Sequence, residues 1–176
     1  MIEIDDAGGG CFLGPEVLVI HHLESGDVWY QYIPPNTRER ILCATKLLKN
    51  AFGDIGISKD EPVKLCRGEI FDLFETYLES HGYSVIREKV SHATDQLAEG
   101  KFMEILYSYG FPRDLQLHDR NYQEFYEQVS FWYYSQPRQF ADHIRKKRLR
   151  PPMRPKIIAQ KYPNLLKQIF TEEAVG

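Results

Sequence analysis

Short apolar runs separated by turn residues open the chain, and a helical period takes over further on. Ile2 and Ile4 alternate with acids over residues 2–6, a strand pattern that ends in Asp5-Asp6 and the run Gly8-Gly9-Gly10. Val17-Leu18-Val19-Ile20 is nearly continuous in apolar character, which predicts a well-covered strand over residues 16–23. Ser25-Gly26-Asp27 marks a tight hairpin, and Val28-Trp29-Tyr30-Gln31-Tyr32-Ile33 reads as a third strand stopped by Pro34-Pro35. The expectation is a three-stranded antiparallel meander.

Helical spacing then begins. Asn36 with Glu39 fits a capping box, and Ile41, Leu42, Leu47, Leu48, Ala51 and Phe52 fall on one face that should cover the sheet. Residues 62–66 are a short strand candidate, followed by Gly68-Glu69 and a helix carrying Ile70, Phe71, Phe74, Tyr77 and Leu78, stopped by His81-Gly82. Residues 83–87 read as a fifth strand. Ser91 or Thr94 can cap a further helix whose stripe is Ala98, Phe102, Ile105, Leu106 and Tyr109, with His92, Asp95 and Glu99 on a neighbouring face. After Gly110 comes a dense aromatic helical segment, Tyr122 to Tyr134, which needs cover from the sheet, a second copy or stacked bases. A basic, proline-bearing tail with a short helix over residues 165–170 follows. This reads as an α/β domain over residues 1–112 with a helical, aromatic and basic extension over 113–176 packed on it.

Composition narrows the picture. A chain of 176 residues with 43% hydrophobic content supports one well-buried core plus an appendage. No run is long enough for a membrane span, and acids stand where a signal peptide would carry basic residues, so a cytoplasmic location without membrane partners is expected. Cys11, Cys43 and Cys66 are widely spaced and make no CxxC pair, which argues against a disulfide framework or a zinc site and for reduced, buried or half-buried thiols. His21 and His22 are adjacent in a strand and face opposite ways, so one is expected packed and the other exposed.

Charge is asymmetric. The net charge of -3 combines a tail with ten Lys/Arg against three acids over residues 138–176 and a body with twelve against twenty-two. The tail cluster Arg145, Lys146, Lys147, Arg148 and Arg150 suits nucleic-acid phosphates, or else neutralises the acidic body.

Over roughly its first 110 residues this order of elements resembles the ribonuclease H-like superfamily, and Ile4-Asp5-Asp6-Ala7-Gly8 looks like the opening of its Holliday-junction resolvase branch. The resemblance implies a three-layer fold with a mixed five-stranded sheet, three antiparallel strands then two parallel ones, and helices on both faces. It implies a nuclease or resolvase-like phosphodiesterase whose carboxylates hold two Mg2+ or Mn2+ ions on strand one, at or after strand four, and on the last helix. Carried to this chain, those are Asp5, Glu69, and Asp95 or Glu99, with Asp6 a further candidate and His92 placed to orient or move a proton. Each has a plainer reading: Asp6 as holder of the glycine turn, Glu69 as a first-turn acid that complements a helix dipole, Asp95 and Glu99 as a solvated helix face. The alternative function is a non-catalytic binding or scaffolding protein of the same fold; a cleft for a small molecule and a homodimer also stay open. ATP hydrolysis is disfavoured, because the Lys and hydroxyl of a P-loop are missing.

Overall fold

The computed structural model describes residues 1–11, 13–113 and 122–135. The elements run β1 (Ile2–Ala7), β2 (Glu16–His22), β3 (Val28–Ile33), α1 (Arg40–Ile55), β4 (Val63–Leu65), a 3-10 turn (Glu69–Phe71) leading into α2 (Asp72–Ser80), β5 (Val85–Arg87), α3 (His92–Ser108) and α4 (Tyr122–Ser135). The sheet order is β3-β2-β1-β4-β5. β1 pairs antiparallel with β2, and β2 with β3, while β4 runs parallel to both β1 and β5. This is a mixed α/β fold with the expected strand order, three antiparallel strands followed by two parallel ones.

The described residues divide into two compact units, Met1–Gly9 with Pro15–Phe102, and Gly10–Gly14 with the chain from Met103 onward. The sheet belongs to the first. Because β1 is central, its alternation sorts side chains to two covered faces. Ile2 and Ile4 join Leu18, Ile20, Val63 and Leu65 in a core closed by Leu48, Phe52, Phe74 and Leu78 of α1 and α2. Phe52 packs edge-on against Phe74, with ring centroids 5.1 Å apart. In the second unit Phe111 meets Phe125 and Trp132 in edge-to-face contacts at 5.9 and 5.4 Å. Most of the aromatic face of α4 is buried, including Phe125, Phe131, Trp132 and Tyr133. Among the described residues no helix is long and apolar enough to cross a membrane.

Two local expectations are corrected. Asn36 does not cap α1: the chain first closes a turn in which the Thr37 N–H and hydroxyl both donate to the Pro34 carbonyl, and the helix begins only at Arg40, with Glu39 as N-cap and no side-chain cap bond. Leu42 is exposed instead of core-facing, because the buried stripe of α1 is Ala44, Thr45, Leu48, Ala51 and Phe52. At the next helix Ser91 is the residue that caps α3, its hydroxyl accepting from the Thr94 N–H at 3.4 Å.

The opposite sheet face carries polar groups under cover. Glu3, 1% exposed, receives the Ser91 N–H at 3.0 Å, the Ser91 hydroxyl at 2.5 Å and the Thr94 hydroxyl at 2.6 Å, and Lys64 Nζ stands 3.2 Å away. Thr94 gives its proton to Glu3, so His21 Nδ1–H is the donor in the 2.8 Å contact between His21 and Thr94. Burial alone would raise the Glu3 pKa, yet the hydrogen bonds from Ser91, Thr94 and Lys64 hold it below the usual range. Glu3→Ala would leave these donors around an empty pocket and should cost about 3 kcal/mol in urea unfolding. Thr94→Val should cost nearer 1 kcal/mol. A loss of under about 1 kcal/mol for Glu3→Ala would show that the network does not hold the helix to the sheet.

Candidate functional site

Asp5 shares its face of β1 with Glu3 and sits two residues closer to the strand tip. It pairs in register with Val19 of β2 and is 4% exposed. The neighbours that act on its charge come from two directions. Asp95 and Glu99 lie on α3, one and two turns beyond the capped end that Glu3 holds. Cys66 follows β4: its N–H donates to the Ile4 carbonyl at 3.0 Å, and its thiol hydrogen-bonds the Asp5 carboxylate.

The electrostatics are those of a crowded acid. Burial pushes the Asp5 pKa up to about 6, and the charges of Asp95 and Glu99 push the same way, against hydrogen bonds from the Cys66 thiol and the Asp6 backbone. Burial first, and Asp5 second, raise the Cys66 thiol to about 11, so it is protonated at neutral pH and donates to Asp5.

Asp6 takes the other face, as strand alternation requires. It lies beside Glu16, whose carboxylate receives Arg40 Nε at 2.8 Å and Nη2 at 2.7 Å. The Asp6 pKa is raised by burial, then by the charges of Glu16 and Asp5, with Arg40 opposing. Glu69 belongs to this side as well. It is 76% exposed at the start of the 3-10 turn, 4.0 Å from Arg40 Nη1. Asp95 and Glu99 thus act on the Asp5 charge without the three carboxylates closing to within 4.8 Å of one another, and Asp6 and Glu69 lie around Arg40. His92 is exposed at the first position of α3. Arg145, Lys146, Lys147, Arg148 and Arg150, and the helix expected over 165–170, lie outside the described residues.

The glycine run has a packing role here. Gly8 adopts φ +79°, and a Cβ on it would lie 2.3 Å from the Phe102 ring, so the α3 side chain closes directly onto the backbone at the strand tip. Two groups escaped the sequence reading. Cys66 became visible only through the β1–β4 register, although a residue directly after a strand beside β1 was the available signal. The other is His22, Glu24 and Glu61, the one triad among the described residues whose ligand atoms all lie within 4.8 Å of one another. It lies at the opposite end of β1, where Glu24 and Glu61 hold the Met1 ammonium and the Ser25 N–H donates to His22 Nδ1 at 3.1 Å.

No protein-family model and no curated protein sequence matches this chain. Among solved structures it is similar to the catalytic core domain of BIV integrase, at 14% identity and TM-score 0.44 over 84% of this chain and 91% of that one. It is also similar to a chain of the simian T-cell lymphotropic virus intasome in complex with PP2A regulatory subunit B56 gamma, at 14% identity and TM-score 0.45 over 88% of this chain and 55% of that one.

The raised Asp5 pKa has a signed consequence. Between its ordinary value of 3.8 and about 6 the folded state binds the extra proton, so stability falls as pH rises through that window. The loss amounts to about 3 kcal/mol by neutral pH. In urea titrations the native chain should therefore lose stability relative to Asp5→Asn between about pH 4 and pH 7. Parallel pH curves for the two proteins would mean that Asp5 is not held in a strained, desolvated state.

Proposed function

We propose that this chain is a divalent-cation-dependent phosphoryl-transfer enzyme acting on nucleic acid, a nuclease of the resolvase-like kind, with its centre at Asp5. The observation that carries this reading is a buried carboxylate at the tip of the central strand, whose ionisation is opposed by two further acids from α3. Such a cluster is relieved by a cation, and its oxygen donors suit Mg2+ or Mn2+. Asp5, with Asp95 and Glu99, would hold the ion, which supplies Lewis-acid stabilisation of charge on phosphoryl oxygens.

The protein's own groups have the remaining tasks. Glu3 fixes the start of α3, and with it the height of Asp95 and Glu99 along β1. His92, exposed one turn before Asp95, is placed to accept a proton from an attacking water or to give one to a leaving oxygen. The basic residues from Arg145 to Arg150 would bind phosphates along the strand backbone. One observation favours the rival reading of a non-catalytic binding protein: Glu69 turns towards Arg40, away from the acids around Asp5.

Titration with Mg2+ or Mn2+ should raise the melting temperature by about 5–10 °C at a hundredfold excess over Kd, and Asp5→Asn should abolish the shift. Cleavage of branched DNA and of RNA–DNA hybrids should depend on the same ion and be lost in Asp5→Asn. A native chain indifferent to both cations, with no cleavage, would leave the binding-protein reading in its place.

A further inference from the structure

The end of the sheet away from Asp5 holds a cleft of about 340 Å3 between the β2–β3 hairpin and the end of α1. Ile2, Trp29, Ile55 and Ile57 give it apolar walls, and Asp27 and Glu61 stand in the same lining with no Lys or Arg among them. Both walls are held by hydrogen bonds of their own. In the hairpin the His22 N–H donates to the Asp27 carbonyl at 2.9 Å, and the Ser25 hydroxyl donates to Asp27 Oδ2 at 2.6 Å. On the other side the Tyr83 hydroxyl donates to the Ile57 carbonyl at 3.1 Å, and the Glu61 N–H to the Ser58 carbonyl at 3.1 Å. α1 ends here at Ile55 with no basic residue in its last turn, so the negative end of its dipole adds to the two carboxylates.

The triad of His22, Glu24 and Glu61 at this corner has the ligand types of a metal site without the open lone pairs. The Ser25 N–H donates to His22 Nδ1 at 3.1 Å, so the neutral ring carries its proton on Nε2, 3.6 Å from Glu61 Oε1, and neither nitrogen is open to a metal. What the carboxylates accept instead is an ammonium, because Glu24 and Glu61 together hold that of Met1. We propose that the cleft binds a small organic cation, an ammonium or guanidinium group carried on an apolar body. The body packs among Trp29 and the isoleucines, and the charge is met by Glu61, Asp27 and the indole. A neutral molecule of the same shape forfeits the carboxylate contacts, and an anion is repelled.

The test follows the Trp29 indole N–H by nuclear magnetic resonance on the full native chain, assigned with Trp29→Phe, as benzylammonium, benzyl alcohol or benzoate is added at constant ionic strength. Benzylammonium should shift the signal saturably and bind at least about tenfold more tightly than benzyl alcohol, and benzoate should not bind. Glu61→Gln should weaken benzylammonium about tenfold and leave benzyl alcohol unchanged, with circular dichroism melts as a check on folding. Asp27→Asn, on the opposite wall, gives the same reading independently of how Glu61→Gln folds. Equal affinity for the ammonium and the alcohol, binding of benzoate, no saturable shift with benzylammonium, or binding unchanged by both variants would overturn the proposal. Displacement of benzylammonium by Zn2+, with a shift of the His22 ring signals, would make this corner a metal site and overturn it as well.

Discussion

The buried carboxylate of Glu3 is the interaction on which the arrangement around Asp5 depends. A charged group in the middle of a central strand is tolerable only when its oxygens are fully used, and here they receive two hydroxyls, a backbone N–H and an ammonium. All but the ammonium come from the first turn of α3. The same carboxylate that satisfies orphan donors at a helix start therefore sets where that helix crosses the sheet. Asp5, two residues along β1, then feels the charges of Asp95 and Glu99 from the following turns. The position of the candidate site follows from a capping interaction.

Much of the fold was legible because each strand carries its own local signature. The apolar run of β2, the aromatic and branched run of β3 and the hairpin at Ser25-Gly26-Asp27 depend on nothing outside themselves. Register and cover were not legible. Glu3 stands between Ile2 and Ile4 on the opposite face of the strand, and the presence of α3 on that face makes it buried. Asn36 had the chemistry of a cap, but Pro34-Pro35 commits the following residues to a turn and delays the helix by a full turn.

The same division holds for the site. Asp5 was marked by its place at a strand tip, and Asp95 or Glu99 by the resemblance that implies a carboxylate on the last helix, while their spacing alone reads as a solvated face. Cys66 could not be found that way, because which residue of β4 lies beside Asp5 is fixed by parallel pairing between segments sixty residues apart. Glu69 was the acid that the resemblance placed after strand four. The 3-10 turn from Glu69 to Phe71 instead carries its side chain towards Arg40, which already neutralises Glu16.

The strict alternation of β1 has one more effect. Ile2 and Ile4 face an apolar core while Glu3 and Asp5 face partners on α3, so a slip of one residue against β2 would drive two carboxylates into hydrocarbon and strand the isoleucines among hydroxyls and an ammonium. Misaligned pairings of this strand are thus rejected by solvation energy as well as by lost contacts. The central strand works as its own proofreading device during assembly, and the chemistry at its tip inherits that accuracy.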